Sequence, residues 1–180
     1  MFKGRLLIAS PTLGDPNFER TVILMIEHGD EGALGVVLNR PSGLAVDEVL
    51  PQWATLAAEP GVMFLGGPVQ PNAVICLGRT DDAAGGVVTE TAVPGIGLVD
   101  LEGDPLDASP DLTLRCFAGY AGWDGGQLEE ELDQGAWFVV EPEIDDAFSG
   151  DAESLWRAVL ARQPGDLSRY ALYPKDPSLN

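Results

Sequence analysis

Arg20 and Arg40, together with Asp15, Asn17, Thr21 and Asn39, are the residues of this chain whose types could do chemistry at one shared point. Two guanidiniums offer forked N–H donors that match a carboxylate or phosphate, and the amides and hydroxyl add further hydrogen-bonding groups for the same ligand. The set has a second use. Either arginine can pair with Asp15 and lock the loop PTLGDPNF onto the residues that follow, while Asn39 satisfies loop backbone groups. Both uses stand open at this level.

Other chemistry is thinner. His28 is the single histidine. A general base needs an orienting partner, and the adjacent Glu27 points to the opposite face if the segment is a strand. His28 therefore reads as a strand-end residue at a tight loop. No GxSxG nucleophile setting is present, and two separated cysteines with one histidine give no zinc-ligand spacing. The acid pairs Asp81-Asp82 and Asp145-Asp146 lack an EF-hand loop and read as solvated surface. The expectation is no catalytic residue, no metal and no cofactor, with a nucleotide- or metal-dependent enzyme at Arg20, Asn39 and Arg40 as the alternative.

The elements that must position the arginine set form a hairpin. Residues 20–28, RTVILMIEH, are apolar on both faces between Val22 and Ile26, as in a central strand covered on each side. Residues 33–39, ALGVVLN, have the same character, and residues 29–32 connect the two. With Leu34 opposite Glu27, an unbroken register puts Val22 opposite Asn39 and Thr21 opposite Arg40. Arg20, Thr21, Asn39 and Arg40 then gather at one end, beside Asp15 and Asn17. Glu27 and His28 lie at the other end, about 27 Å away at roughly 3.4 Å per residue. No single hairpin-borne site can use both ends.

A second organised stretch is GYAGWDGGQLEEEL, residues 119–132. Leu112, Leu114 and Cys116 alternate with polar neighbours as in a half-buried strand, which the glycines are expected to end. Asp124 and Gln127 suit a reciprocal N-cap, and Trp123 can close over Leu128 as a hydrophobic staple. Gly125 and Gly126 each cost the first turn about 1 kcal/mol, so something must offset them. A phosphate at the helix start is one answer. The carboxylates of Asp124, Glu129, Glu130 and Glu131 would repel it, which favours close backbone packing beneath Trp123 or Tyr120. Gly135 stops the helix, and a strand follows over residues 136–140.

Elsewhere the pattern predicts a strand over residues 5–10, a short helix over 44–53, and strands over 63–69, 73–77, 86–89 and 97–100. A helix is expected over 151–162, with Arg157 and Arg162 at its negative end, then a last strand over 167–173 and a loose tail over about 175–180.

Composition narrows the partners. Twenty-nine acids against ten Lys and Arg give a net charge of −19. Phosphate backbones are bound largely by releasing counterions to Lys and Arg, so direct nucleic-acid binding is disfavoured, as is an anionic membrane. The 180 residues, 45% hydrophobic and without a linker, suit a single domain spanning 1–180. Cys76 and Cys116 each lie in an apolar run, which suits reduced, buried thiols. The apolar stretch before Pro11 is too short for a signal or a span. The expected location is cytoplasmic.

With these blocks in view, the chain resembles the YqgE/AlgH family of small bacterial proteins over most of its length. Three motifs carry the resemblance: GRLLIASPTLGDPNFERTVILMIEH continuing to GALGVVLNRP, then LGGPVQP, then GYAGWDGGQLEEEL with Trp137 after it. One departure is Leu77-Gly78, where many relatives resemble Leu-His. The resemblance implies an α+β fold: a bent mixed or antiparallel sheet partly closed into a barrel, with a few helices packed on it. It also implies a label of transcriptional regulator, with no activity established for the family. By that resemblance Tyr120, Trp123, Gln127 and Glu129 occupy motif positions, and they form the expected partner surface. The partner expected is a protein or a small anionic ligand; the sequence does not give the oligomeric state.

Overall fold

In the computed structural model, which describes residues 1–81 and 86–175, the apolar runs become strands of one sheet. In chain order they are β1 (Leu6–Ala9), β2 (Val22–Gly29), β3 (Gly32–Val37), β4 (Pro41–Ala45), β5 (Val62–Leu65), β6 (Val69–Arg79), β7 (Val88–Glu90), β8 (Ile96–Val99), β9 (Thr113–Asp124) and β10 (Trp137–Val140). The helices are α1 (Val46–Val49), α2 (Gln127–Asp133), α3 (Ile144–Ala147) and α4 (Leu155–Ala161), with 3-10 turns at Pro51–Leu56, Pro105–Asp107 and Gly165–Leu172. The strand order is β10-β1-β2-β3-β9-β6-β8-β7, with β4 joined through β5 to β9. Neighbours are antiparallel except β5 with β9. The sheet curls into a half-barrel, the α+β architecture that the motifs imply.

Burial on both faces of β2 follows from its unbroken apolar run. Val22, Leu24 and Ile26 join the core beneath α4, where Leu155, Trp156, Val159 and Leu160 are buried. Ile23 and Met25 face the opposite way, against Trp123, Leu128 and Trp137. A third cluster, around Trp53, Cys76, Leu114 and Cys116, fills the β6–β9 end. The Trp156 indole N–H donates to the Ala9 carbonyl at 2.9 Å, which ties α4 to the end of β1.

The hairpin exists, but its register changes part-way. Glu27 faces Leu34 as expected; Met25 faces Gly35, so Ile26 is a bulge residue. The shift carries Val22 opposite Leu38, whose N–H donates to the Val22 carbonyl at 2.8 Å, and not opposite Asn39. A buried apolar residue, accommodated as one extra position, decides this.

Several expected elements move. Strand β9 runs through Gly119 and Gly122 to Asp124 instead of ending at glycine, because Val69 of β6 pairs with Tyr120 and β3 pairs with residues 121–124. Helix α2 starts after Gly126, whose φ is +81°, so Asp124 is the last strand residue and not the cap. Gln127 still reaches back, accepting the Asp124 N–H at 3.0 Å. Gly125 is explained by packing: a Cβ there would sit 2.5 Å from the Asp30 carbonyl in the β2–β3 turn. The partner of that close approach is the turn, not Trp123 or Tyr120. Residues 41–45 are strand, with only four α-helical residues in the segment expected to be helix. The helix expected over 151–162 begins at Leu155, and residues 165–172 form a 3-10 turn instead of a strand. Asp82, and residues 176–180 of the expected loose tail, lie outside the described residues.

The cysteines correct the expectation of reduced thiols. Cys76 and Cys116 lie directly opposite each other across β6 and β9 and form a disulfide. Sequence separation hid the pair; strand register made it. Among the described residues no helix is long and apolar enough to cross a membrane.

Candidate functional site

The loop between β1 and β2, the connection between β3 and β4, the first turn of α4 with the residues before it, and Lys175 enclose a pocket of about 280 Å3 at the arginine end of the hairpin. Arg20, Arg40, Arg157 and Lys175, four of the ten Lys and Arg residues in the chain, line it. Glu19 and Glu153 stand on the same wall.

The three guanidiniums are each held by main-chain carbonyls. Arg20 ends the loop with φ +53°. The Asn39 side chain holds the backbone around it: its oxygen accepts the Val22 N–H at 2.9 Å, and its amide donates to the Arg20 carbonyl at 2.9 Å. The Arg20 guanidinium lies over Trp156, 4.4 Å from the ring centroid, a cation–π contact. Its Nη2 donates to the carbonyls of Tyr173 at 3.0 Å and Pro174 at 2.6 Å. Arg157 donates to Ala171 at 2.6 Å and, on the same Tyr173 carbonyl, at 3.1 Å. Arg40 reaches Asn17 and Glu19 carbonyls at 2.8 and 3.0 Å.

The loop is therefore locked, but by main-chain carbonyls and not by Asp15. Asp15 is spent inside the loop, accepting the Asn17 N–H at 2.9 Å. Thr21 is buried, and its hydroxyl donates to the Phe18 carbonyl at 2.8 Å. Asp15, Asn17 and Thr21 thus shape the site from behind. Arg20 and Arg40 line the pocket itself, and Asn39 both lines it and holds its backbone.

Neutral carbonyls take the hydrogen bonds of the guanidiniums, and carboxylates act on them only from beyond ion-pair distance. Among the described residues, Arg20, Arg40 and Arg157 have no carboxylate within 4.0 Å, whereas Lys175 pairs with Glu153 at 3.6 Å. Arg20 Nη1 is buried and has no hydrogen-bond partner among the described residues. Burial, then the neighbouring Arg157 charge, lowers the Arg20 pKa, with Glu19 acting in the opposite direction. Two like charges drawn together out of water are unfavourable unless an anion joins them. Arg157, Trp156 and Lys175 were not legible as site residues in the sequence. Spacing along α4 gives only a reading of helix polarity, and nothing local says that residue 157 meets residue 20.

At the opposite end His28, near the close of β2, has a carboxylate neighbour that the sequence reading lacked: Glu129, not the adjacent Glu27. Its Nδ1 accepts the Phe2 N–H at 2.8 Å, its Nε2 lies 2.7 Å from Glu129, and the Phe2 ring stacks on it. Both ring nitrogens are engaged. Of the residues expected on a partner surface, Glu129 is thus held by His28, and Trp123 is buried at 6% exposure. The Trp123 and Trp137 indoles both donate to Glu131, at 3.0 and 2.7 Å. Tyr120 and Gln127 line an open groove. The acid pair Asp145-Asp146 is taken up by Arg79 and Arg162 respectively. Among the described residues no cluster of three metal-ligating side chains occurs.

Together these features define a half-barrel α+β protein with an arginine-lined pocket where its central hairpin opens. The chain belongs to the family described as DUF179, AlgH-like, whose pattern matches residues 6–168. It is 53% identical over 185 residues to a UPF0301 protein of Streptomyces coelicolor, covering 98% of this chain and 94% of that one. A crystal structure of a Corynebacterium diphtheriae protein, 32% identical, superposes with a TM-score of 0.88 over 94% of this chain and 91% of that one. The solution structure of AlgH from Pseudomonas aeruginosa, 30% identical, gives a TM-score of 0.66 over 95% and 93%.

Proposed function

We propose that the chain is a non-enzymatic binding and regulatory protein that takes a small carboxylate or phosphate in its arginine pocket. Any transcriptional role then runs through ligand or protein contacts and not through DNA. The observation supporting this is the convergence of three guanidiniums with no carboxylate within 4.0 Å among the described residues, in a chain of net charge −19. Such a chain has acids to spare for neutralising its own arginines, yet the hydrogen bonds these guanidiniums make go to carbonyls, and the two carboxylates on the wall, Glu19 and Glu153, stand beyond ion-pair distance of them. An anion seated there gains charge-assisted hydrogen bonds and relieves the Arg20–Arg157 repulsion. The acidic remainder of the surface repels nucleic acid.

Thermal shift against inorganic phosphate, phosphomonoesters and di- and tricarboxylates tests the reading. A ligand at a hundredfold excess over its Kd stabilises by about 2.7 kcal/mol, roughly 5–10 °C in Tm for a chain of this size. Arg157→Met should abolish that shift, while Arg169→Met, an exposed arginine paired with Asp166, should retain it. A labelled DNA duplex at physiological salt should not bind. Absence of any shift in the wild type, or an equal shift in Arg157→Met, would refute the assignment.

A further inference from the structure

Beyond the arginine pocket lies a larger cavity, about 580 Å3, at the other end of the hairpin. Its floor is apolar: Leu34 of β3, Val69 of β6, and Tyr120 and Gly122 of β9. Its rim is acidic, with Glu27, Glu31 and Asp124. Glu27 is paired with Lys3, while Glu31 and Asp124 have no cationic partner among the described residues.

Backbone topology explains the opening. Strand β6 pairs with β9 only as far as Tyr120, through Val69. From Gly122 to Asp124, β9 has β3 on one side and no strand on the other among the described residues. Gln127 takes the Asp124 N–H, which closes that end of the edge.

Gly122 itself has no local cause. A Cβ there would meet only ordinary contacts, 3.6 Å from Tyr120 and Val69, so the fold leaves room for a side chain that the sequence omits. Glycine inside a strand loses packing and entropy, and it characteristically stands where another backbone approaches. An unpaired strand edge is itself a template for an added extended segment.

We propose that this groove docks an extended, basic segment of another protein. Its backbone lies along Gly122, its apolar residues rest on Leu34, Val69 and Tyr120, and its Lys or Arg residues meet Glu31 and Asp124. Alternation of basic and apolar residues suits this floor and rim, because successive residues of an extended chain point to opposite sides. The acidic field of the whole chain favours the encounter, and the rim supplies register.

A fluorescein-labelled ten-residue peptide alternating Lys and Val is the probe, titrated by polarisation at physiological salt. Charge reversal in Glu31→Lys/Asp124→Lys should weaken binding by about tenfold or more. The control Glu102→Lys/Asp107→Lys alters net charge equally on a distant exposed turn and should stay within about twofold. Gly122→Val, which fills the floor without changing charge, should also abolish binding while leaving any anion-induced shift at the arginine pocket intact. Equal weakening by the control pair, or wild-type affinity in Gly122→Val, would overturn the proposal. So would self-association of the wild type that Gly122→Val abolishes, since it would assign the groove to a second copy. If Gly122→Val does not fold, amide chemical shifts on the wild type decide: changes centred on Leu34, Gly122 and Asp124 support the groove, and changes elsewhere reject it.

Discussion

Phe18 joins the pocket loop to the core, and its removal is the most direct probe of how the site is held. Its ring is stacked on Trp123 at 6.3 Å and sits edge-on to Trp137 at 5.7 Å. Its carbonyl accepts both the N–H and the hydroxyl of Thr21, at 3.1 and 2.8 Å, just after Arg20. Truncating a fully buried Phe costs about 3–5 kcal/mol. Phe18 is only partly buried, so Phe18→Ala should cost about 2–3 kcal/mol, area scaling reducing the full value. For 180 residues that corresponds to a fall in Tm of about 5–10 °C. Urea denaturation followed by tryptophan fluorescence measures it, because two of the four tryptophans flank the ring. Near-ultraviolet circular dichroism should lose intensity as the Trp123–Trp137 environment loosens. Any anion-induced stabilisation should shrink as well, since Glu19 and Arg20 follow Phe18 directly. A cost within about 0.5 kcal/mol, the size of an ordinary surface substitution, would refute the idea that the aromatic clamp holds the loop.

Three further outcomes follow from particular contacts. Asn39→Ala leaves the Val22 N–H and the Arg20 carbonyl without their partner and should cost about 1–3 kcal/mol by urea denaturation, whereas Asn39→Asp retains only the acceptor and should cost less. Asp111 accepts from the Asp81 N–H and from the Ser109 and Thr80 hydroxyls, which lowers its pKa to about 2. Because the folded value is the lower one, this contact contributes stability above the ordinary carboxylate range, and the contribution is lost as pH falls through about 2; carbon-13 NMR titration of the Asp111 carboxyl reads the midpoint. Thiol titration of the denatured, unreduced protein should find no free cysteine, and reduction should cost about 4 kcal/mol on the chain-entropy estimate for 40 residues of separation.

Local patterns carried much of the fold. Apolar runs in residues 20–28 and 33–39 specify two covered strands, and a connection of four residues leaves them no choice but to pair antiparallel. The separation of Arg20, Asn39 and Arg40 from His28 followed at once and survived the bulge at Ile26, because one extra residue shifts partners without exchanging ends. Gln127 reaching back to Asp124 was legible for the same reason: the two are three residues apart. The glycines of β9 misled, since a strand continues through glycine when β3 and β6 supply partners that no local window contains.

What the sequence determined by itself was chemistry that depends on composition and near neighbours: a net charge of −19, a hairpin, and an arginine pair at one end of it. What only tertiary structure decided was how that pair is completed and used. Residue 157 reaches residue 20 because Trp156 is buried beneath the loop and hydrogen-bonded to Ala9, so the helix presents the next side chain to the pocket. Cys76 meets Cys116, and Gly122 is left on a strand edge without a partner strand among the described residues, by strand pairing over 40 residues and by the strand that stops at Val69. Contacts of that range are selected by the total burial of the chain, and no segment of it encodes them alone.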